Sequence, residues 1–180
     1  QNYEALKNIN LSIKPGEKVA ILGKMGSGKS TIAKLLMNLY SPTTGSILVD
    51  KTEVRQIDPA DLRSAIGFVP QEAFLFMGSI KDNITIGEQY ISDEEVIAIS
   101  KLTGVHEFLG RHEAGYDLIV GERGEGLSGG ERQSVTLSRA MISNPEFLIM
   151  DEPTNSMDRQ SETQFIKRIK GIVEDKTLIV

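Results

Sequence analysis

The sequence contains the stretch Gly23-Lys24-Met25-Gly26-Ser27-Gly28-Lys29-Ser30, followed by Thr31. The spacing of its residues matches G-x-x-x-x-G-K-[ST], the pattern of a phosphate-binding loop. An apolar run at residues 19–22 predicts a buried strand before the loop, and apolar residues at helical spacing over 30–39 predict a helix after it. Because such a loop lies between a strand and a helix, the flanking patterns support the motif.

The residue types of this loop suit a triphosphate tail. Glycines let successive backbone N–H groups point at phosphate oxygens, and the following helix presents its positive end to the same anion. We expect Lys29 to reach the β- and γ-phosphates and the Ser30 hydroxyl to bind Mg²⁺. The loop residues predicted to bind the nucleotide are Gly23, Gly26, Ser27, Gly28, Lys29, Ser30 and Thr31.

Composition restricts the class of protein. The chain has 180 residues, a net charge of −5 and no cysteine. This length is enough for one domain with a hydrophobic core. The acidic balance argues against a nucleic-acid partner, because phosphate contacts require a basic face. Without cysteine there is no disulfide or thiol metal site, and without an apolar run of about 18 residues no membrane-spanning helix is predicted.

Apolar runs alternate with helical patterns along the chain. Strands are predicted at residues 6–13, 19–22, 46–49, 66–69, 147–150 and 177–180. Helices are predicted at residues 30–39, 61–65, 92–102, 105–110, 131–142 and 160–172. The order predicts an α/β fold with a mostly parallel core sheet and a helical insert at residues 72–141.

The apolar run at residues 147–150 ends in two acids, Asp151 and Glu152. The end of the strand places one carboxylate at the sheet edge and the next beside it. Asp151 is expected to hold Mg²⁺, which keeps several waters and uses few carboxylates. Glu152 is then placed to orient or deprotonate an attacking water. The alternative is a strand end with two solvated acids and no catalytic role.

A second glycine-containing loop, Leu127-Ser128-Gly129-Gly130-Glu131, precedes the helix predicted at residues 131–142. A serine and two glycines before a helix form another anion-binding N-terminus. A single phosphate tail does not need two such loops from one chain. We therefore expect a second copy of the chain to supply Ser128, Gly129, Gly130 and Glu131 to the nucleotide.

Together these motifs resemble the nucleotide-binding domain of an ABC ATPase, in the order of that family and over essentially the whole chain. Residues 23–31 are similar to its Walker A motif, and residues 148–152 to its Walker B motif with the catalytic glutamate. Residues 127–131 are similar to its signature, although Gln is commoner than Glu131. The resemblance implies a P-loop NTPase fold with an antiparallel β portion near the N-terminus. It also implies that residues 1–180 form a domain that binds ATP and Mg²⁺, hydrolyses ATP, and pairs head to tail with a second copy.

The resemblance also assigns roles to single residues. It implies catalytic roles for Lys29, Gln71 and Glu152. Gln71 lies where the family's Q-loop glutamine binds Mg²⁺ and senses the transmembrane domain. The predicted Mg²⁺ ligands are therefore Ser30, Gln71 and Asp151.

Three further positions are interpreted in the same way. Tyr3 lies where an aromatic side chain of the family stacks on adenine. Residues 155–158 lie at the D-loop, where Asn155 departs from the commoner serine. The family's switch histidine follows the strand predicted at residues 177–180, so we expect it, with the end of the core, beyond Val180.

Residues 120–124 add information on subtype, because they resemble the X-loop through which exporters contact their transmembrane domain. The block at residues 115–131 is most similar to bacterial type I secretion ATPases. This resemblance implies export of a protein or peptide, powered from the cytoplasmic face of a bacterial inner membrane. The implied partners are a transmembrane domain of the same polypeptide, a periplasmic adaptor and an outer-membrane channel. Peptide and lipid exporters are close alternatives.

Two other functions stay open at this point. A non-transport ABC ATPase, of the chromosome-maintenance or ribosome-associated kind, would be expected to carry a coiled-coil insertion, a tandem cassette or basic extensions. The sequence contains none of these features. A chain without the switch histidine could also bind ATP without turnover.

Overall fold

A parallel sheet forms the centre of the computed structural model, which describes residues 5–88 and 90–180. Its strands are β1 (Lys18–Val19), β4 (Ile66–Val69), β7 (Phe147–Met150) and β8 (Thr177–Ile179). They lie in the order β1-β8-β7-β4, and every neighbouring pair is parallel. β4 and β7 are continuous apolar runs, as expected for parallel strands covered on both faces. The predicted parallel core is thereby confirmed.

The chain between β1 and β4 forms a smaller layer on the sheet. Its elements are α1 (Lys29–Leu36), β2 (Leu48–Val49), β3 (Thr52–Glu53) and α2 (Pro59–Ser64). β2 and β3 form an antiparallel pair, which gives the fold its small antiparallel portion. Ala33, Met37 and Leu62 pack with Ile66 and Ile149 of the sheet. This cluster fixes α1, and with it the end of the phosphate-binding loop, against the sheet.

The chain from residue 72 to residue 141 is mostly helical. It contains β5 (Gly78–Ser79), α3 (Ile80–Thr85), α4 (Asp93–Thr103), α5 (Val105–Leu109), β6 (Ile119–Val120) and α6 (Gly129–Met141). Capping boxes start α3 at Ser79 with Asp82, and α4 at Ser92 with Glu95. Hydrogen bonds from Ser79 hold the pKa of Asp82 below its ordinary value, and those from Ser92 do the same for the pKa of Glu95.

The largest hydrophobic core joins these helices to the sheet and to α7 (Arg159–Ile172). Its members include Val69, Leu148, Met150, Ile80, Val96, Leu137 and Phe165. The helical region therefore packs directly on β4 and β7. In the described ranges, 5–88 and 90–180, no helix has both the length and the apolar character needed to cross a bilayer.

In the first part of the chain, one predicted strand is wrong and another is confirmed only in part. Residues 6–13 form no strand, and Ile9 and Leu11 are more than half exposed. An alternating pattern becomes a strand only beside a neighbour, and in the sheet β1 pairs with β8 alone. The strand predicted at residues 19–22 is limited to Lys18–Val19, and Leu22, which follows it, is 92% exposed.

Candidate functional site

The phosphate-binding loop leads directly into α1. Gly28 caps this helix with φ at 95°, a left-handed backbone that glycine adopts without steric cost. No side chain caps the start of α1, so its first backbone N–H groups have no local side-chain acceptor. The ammonium of Lys29 folds back and donates to the carbonyl oxygens of Gly23 at 3.1 Å and Lys24 at 3.3 Å. The loop therefore encloses a lysine and a set of backbone donors.

The remaining predicted residues of the loop surround the same turn. Gly26 has φ at 78°, and the Ser27 N–H donates to the Lys24 carbonyl at 3.1 Å, which closes the turn. Ser30 and Thr31 lie in the first turn of α1. The motif is thus one continuous structure between β1 and α1.

The carboxyl ends of β4 and β7 bring two more predicted residues together. These strands run parallel from Ile66 opposite Phe147 onward, and the Asp151 N–H continues the pairing to the Val69 carbonyl at 2.9 Å. Gln71 and Glu152 follow the two strands and leave the sheet at the same edge. The juxtaposition follows directly from parallel pairing of adjacent strands.

Lys29, Gln71 and Glu152 form one polar cluster. The Lys29 ammonium lies 3.1 Å from Glu152 Oε1, and Gln71 Nε2 donates to Glu152 Oε2 at 3.2 Å. The Lys29 side chain is 19% exposed and that of Glu152 is 41% exposed, so the cluster opens to solvent on the carboxylate side. Glu152 has φ at 45°, an uncommon conformation for a residue other than glycine, and such strain is concentrated at functional sites.

The second loop closes on itself at the start of α6. The Ser128 N–H donates to Glu131 Oε2 at 2.9 Å, and the Glu131 N–H donates to Ser128 Oγ at 3.3 Å. The first two N–H groups of α6, from Gly129 and Gly130, have no acceptor within the helix. A Cβ at Gly129 would lie 2.5 Å from the Ser156 carbonyl oxygen, so the loop packs tightly on the segment before α7.

Asp158 caps the start of α7 within that segment. Its carboxylate accepts from the N–H groups of Gln160 and Ser161 and from the Ser161 hydroxyl. The hydrogen bonds from Ser161 hold the pKa of Asp158 below its ordinary value. Residues 155–158 are therefore fixed between the second loop and α7. Tyr3, the predicted adenine contact, lies outside the described residues.

The two loops and the polar cluster described above lie in a region that matches a known protein family. The profile described as "ABC transporter" matches residues 6–155. The chain belongs to the ABC transporter family. It is the ATP-binding domain of that family and an ATPase. The strand, loop and helix at residues 18–36 and the loop before α6 all lie inside the matched range.

Individual relatives give the same result. The ABC domain is 45% identical over 175 residues to the alpha-hemolysin translocation ATP-binding protein HlyB of Escherichia coli O157:H7, covering 97% of this chain and 25% of that protein. It is 42% identical over 179 residues to ABC transporter B family member 1 of Dictyostelium discoideum, covering 99% and 20%. The chain thus spans about a quarter or less of the length of these relatives.

A solved structure matches the ABC domain as well. It is a bacterial Atm1-family ABC exporter with ATP bound, with a TM-score of 0.85 and 40% identity over 91% of this chain and 29% of that one. The P-loop NTPase fold predicted from the sequence is confirmed by this likeness.

Gln133 is a buried polar residue near the site that was not predicted from the sequence. It lies in α6 and donates from its side chain to the backbone beside Gln71. Its spacing from Leu137 and Met141 puts it on the same apolar face of the helix, and all three are buried. A polar residue on an apolar helical face was the signal that could have identified it.

Proposed function

We propose that ATP binds in the loop at residues 23–31 and that Glu152 activates the water that attacks the γ-phosphate. The observation that carries this proposal is the contact of Lys29, Gln71 and Glu152, which come from three separate parts of the chain. Lys29 and the loop amides neutralise phosphate charge, and Glu152 orients or deprotonates water for in-line attack. Tyr3 would stack on the adenine.

Mg²⁺ would be bound by Ser30, Gln71 and Asp151. The donor chemistry fits, because a hydroxyl, an amide oxygen and one carboxylate are hard oxygen ligands, and Mg²⁺ uses few carboxylates beside phosphate and water. Since Gln71 uses its Nε2 on Glu152, its amide oxygen is left for a cation. The bound ion would neutralise charge on the β- and γ-phosphates.

A second copy of the domain would complete the site. Its Ser128, Gly129, Gly130 and Glu131 would face the γ-phosphate held by the first copy, in a head-to-tail pair. The serine hydroxyl and the unpaired glycine amides at the start of α6 supply donors for a phosphate. ATP would favour the closed pair because it binds both surfaces, and hydrolysis would remove that bridge.

The hydrolysis would power export of a protein or peptide from the cytoplasmic face of a bacterial inner membrane. The likeness to an alpha-hemolysin translocation ATP-binding protein supports this assignment. The partners would be a transmembrane domain in the same polypeptide, a periplasmic adaptor and an outer-membrane channel. Exposed apolar side chains lie in β6 and in the segment before β5, and such side chains are suited to a contact with another protein. They are Phe74, Phe76, Met77 and Ile119.

The test is Glu152→Gln in the full-length protein. We expect ATP turnover to fall at least about 100-fold, because a positioned base contributes that much, while ATP binding is retained. The matched control is Glu113→Gln, which makes the same charge change at an exposed residue after α5 and should leave turnover unchanged. Normal hydrolysis by the Glu152 variant would remove this residue from the proposed role.

A further inference from the structure

The side chain of Gln133 is completely buried one turn into α6. Its Nε2 donates to the Pro70 carbonyl at 3.2 Å and to the Gln71 carbonyl at 3.4 Å. Two consecutive carbonyl groups require a side chain with two N–H donors and no charge. Among side chains of this length only glutamine meets both requirements, because lysine and arginine would bury a charge.

The other half of the same amide has no partner. Gln133 Oε1 is buried without a hydrogen bond inside the described part of the chain. A buried polar group with an unpaired acceptor contributes little net stability compared with an apolar side chain of the same shape. The two hydrogen bonds that Gln133 does make therefore point to control of position more than to stabilisation of the fold.

The Gln133 amide lies between the loop at the start of α6 and the contact of Gln71 with Glu152. On one side, α6 begins at Gly129, directly after Ser128 of the second loop. On the other side, Gln71 donates from its side chain to Glu152 at 3.2 Å. Gln133 is the described side chain that bonds α6 to the backbone of Gln71. These hydrogen bonds form a continuous path by which a displacement of the start of α6 would reach Gln71 and then the Glu152 carboxylate.

We propose that Gln133 is a positioning residue, which holds Gln71 against Glu152 and couples that contact to the loop at the start of α6. This inference rests on the proposed function, in which Glu152 activates water. Gln133 does not touch the nucleotide itself. Its loss should therefore affect the chemical step and leave binding in the loop at residues 23–31 intact.

The test is Gln133→Met in the full-length protein, since methionine fills a similar volume without donors. We expect kcat for ATP hydrolysis to fall by about tenfold or more, because small misplacements of reacting groups are costly, while KM for ATP stays nearly constant. The matched control is Ser138→Ala on the same helix. Ser138 is also fully buried, but it bonds Thr103 and Ser134, so the control perturbs α6 without touching Gln71.

Hydrogen–deuterium exchange supplies a readout that does not depend on turnover. Peptides covering residues 71–76 should exchange faster in Gln133→Met than in the wild type. In Ser138→Ala, the exchange rate of the same peptides should equal that of the wild type. If Gln133→Met does not fold, Gln133→Asn keeps the donors on a shorter stem and should give the same effects in weaker form. Unchanged kcat, a parallel loss in Ser138→Ala, or unchanged exchange would overturn the proposal. No turnover in the wild type would instead contradict the proposed function, while the exchange result would still decide the role of Gln133.

Discussion

The two loops proposed to bind phosphate, at residues 23–31 and 127–131, lead into helices whose starts differ. α1 begins after Gly28 with no side-chain cap, whereas α6 begins after Ser128 with a complete capping box. The first start carries the ammonium of Lys29. The second carries the carboxylate of Glu131, which lies 3.5 Å from the guanidinium of Arg111.

This difference indicates that only the loop before α1 can bind a polyanion without a partner. The start of α1 offers uncapped amides and a lysine, and a triphosphate can replace the Glu152 carboxylate at that lysine. At the start of α6, two glycine amides and a serine hydroxyl stand beside a carboxylate that repels phosphate. We infer that ATP is bound first by residues 23–31, and that the loop of the second copy closes on it afterwards.

The largest expected effect comes from breaking the first helix start with Lys29→Ala. This change removes the ammonium, and charge-assisted hydrogen bonds to phosphate are about twice as strong as neutral ones. We expect ATP affinity to fall by roughly 100-fold, equivalent to about 2.7 kcal/mol, in equilibrium binding to the full-length protein. Lys24→Ala removes an exposed lysine from the same loop and should change affinity little. Equal losses in the two variants would mean that general positive charge, and not the position of Lys29, attracts the nucleotide.

A smaller effect comes from breaking the second start with Gly129→Ala. The added Cβ would lie 2.5 Å from the Ser156 carbonyl oxygen, so either α6 or the segment before α7 must shift. We expect kcat to fall about tenfold, because the donors of the second loop are misplaced, with ATP affinity unchanged. Gly171→Ala lies in open space on α7 and should leave both quantities intact. An equal loss of affinity and kcat in Gly129→Ala would contradict the separate roles of the two loops.

The smallest effect concerns a third helix start, at α7, which is capped by an ionised side chain. The pKa of Asp158 is lower in the folded protein than in the unfolded chain, so its contribution to stability is present above the ordinary carboxyl pKa of about 3.9. It is lost as the pH falls through the lower, folded-state pKa. Melting temperatures of the wild type and Asp158→Asn, measured from pH 7 to pH 3, should therefore converge toward the acid end. A constant difference across this range would show that the charge of Asp158 does not contribute.

The strands of the sheet and the phosphate-binding loop could be predicted from the sequence because each is encoded by a short stretch of consecutive residues. Residues 66–69 and 147–150 are apolar runs bounded by polar or glycine-containing segments, and both strands are confirmed. The helix start at Ser92 is also confirmed, and it was predictable because its capping box lies within four consecutive residues. Residues 6–13 show the limit, since alternation does not reveal whether a neighbouring strand exists to complete the pairing.

The polar contacts of the site depend on distant parts of the chain. The approach of Gln71 to Glu152 could have been predicted from adjacent parallel strands that end at one edge. The ion pair of Lys29 with Glu152 could not, because it depends on how far two flexible side chains reach. The spacing of Gln133 from Leu137 and Met141 could have marked it as a polar residue on an apolar helical face, but its partners could not have been predicted, because the carbonyl groups of Pro70 and Gln71 are about sixty residues away in the sequence.

Because Lys29 is paired with Glu152, the Glu152 carboxylate and the triphosphate would compete for the same ammonium group. When the γ-phosphate of ATP displaces the carboxylate, Glu152 becomes available to activate a water molecule. ATP binding would in this way prepare the site for hydrolysis, whereas a nucleoside without phosphates would leave the ion pair of Lys29 with Glu152 intact.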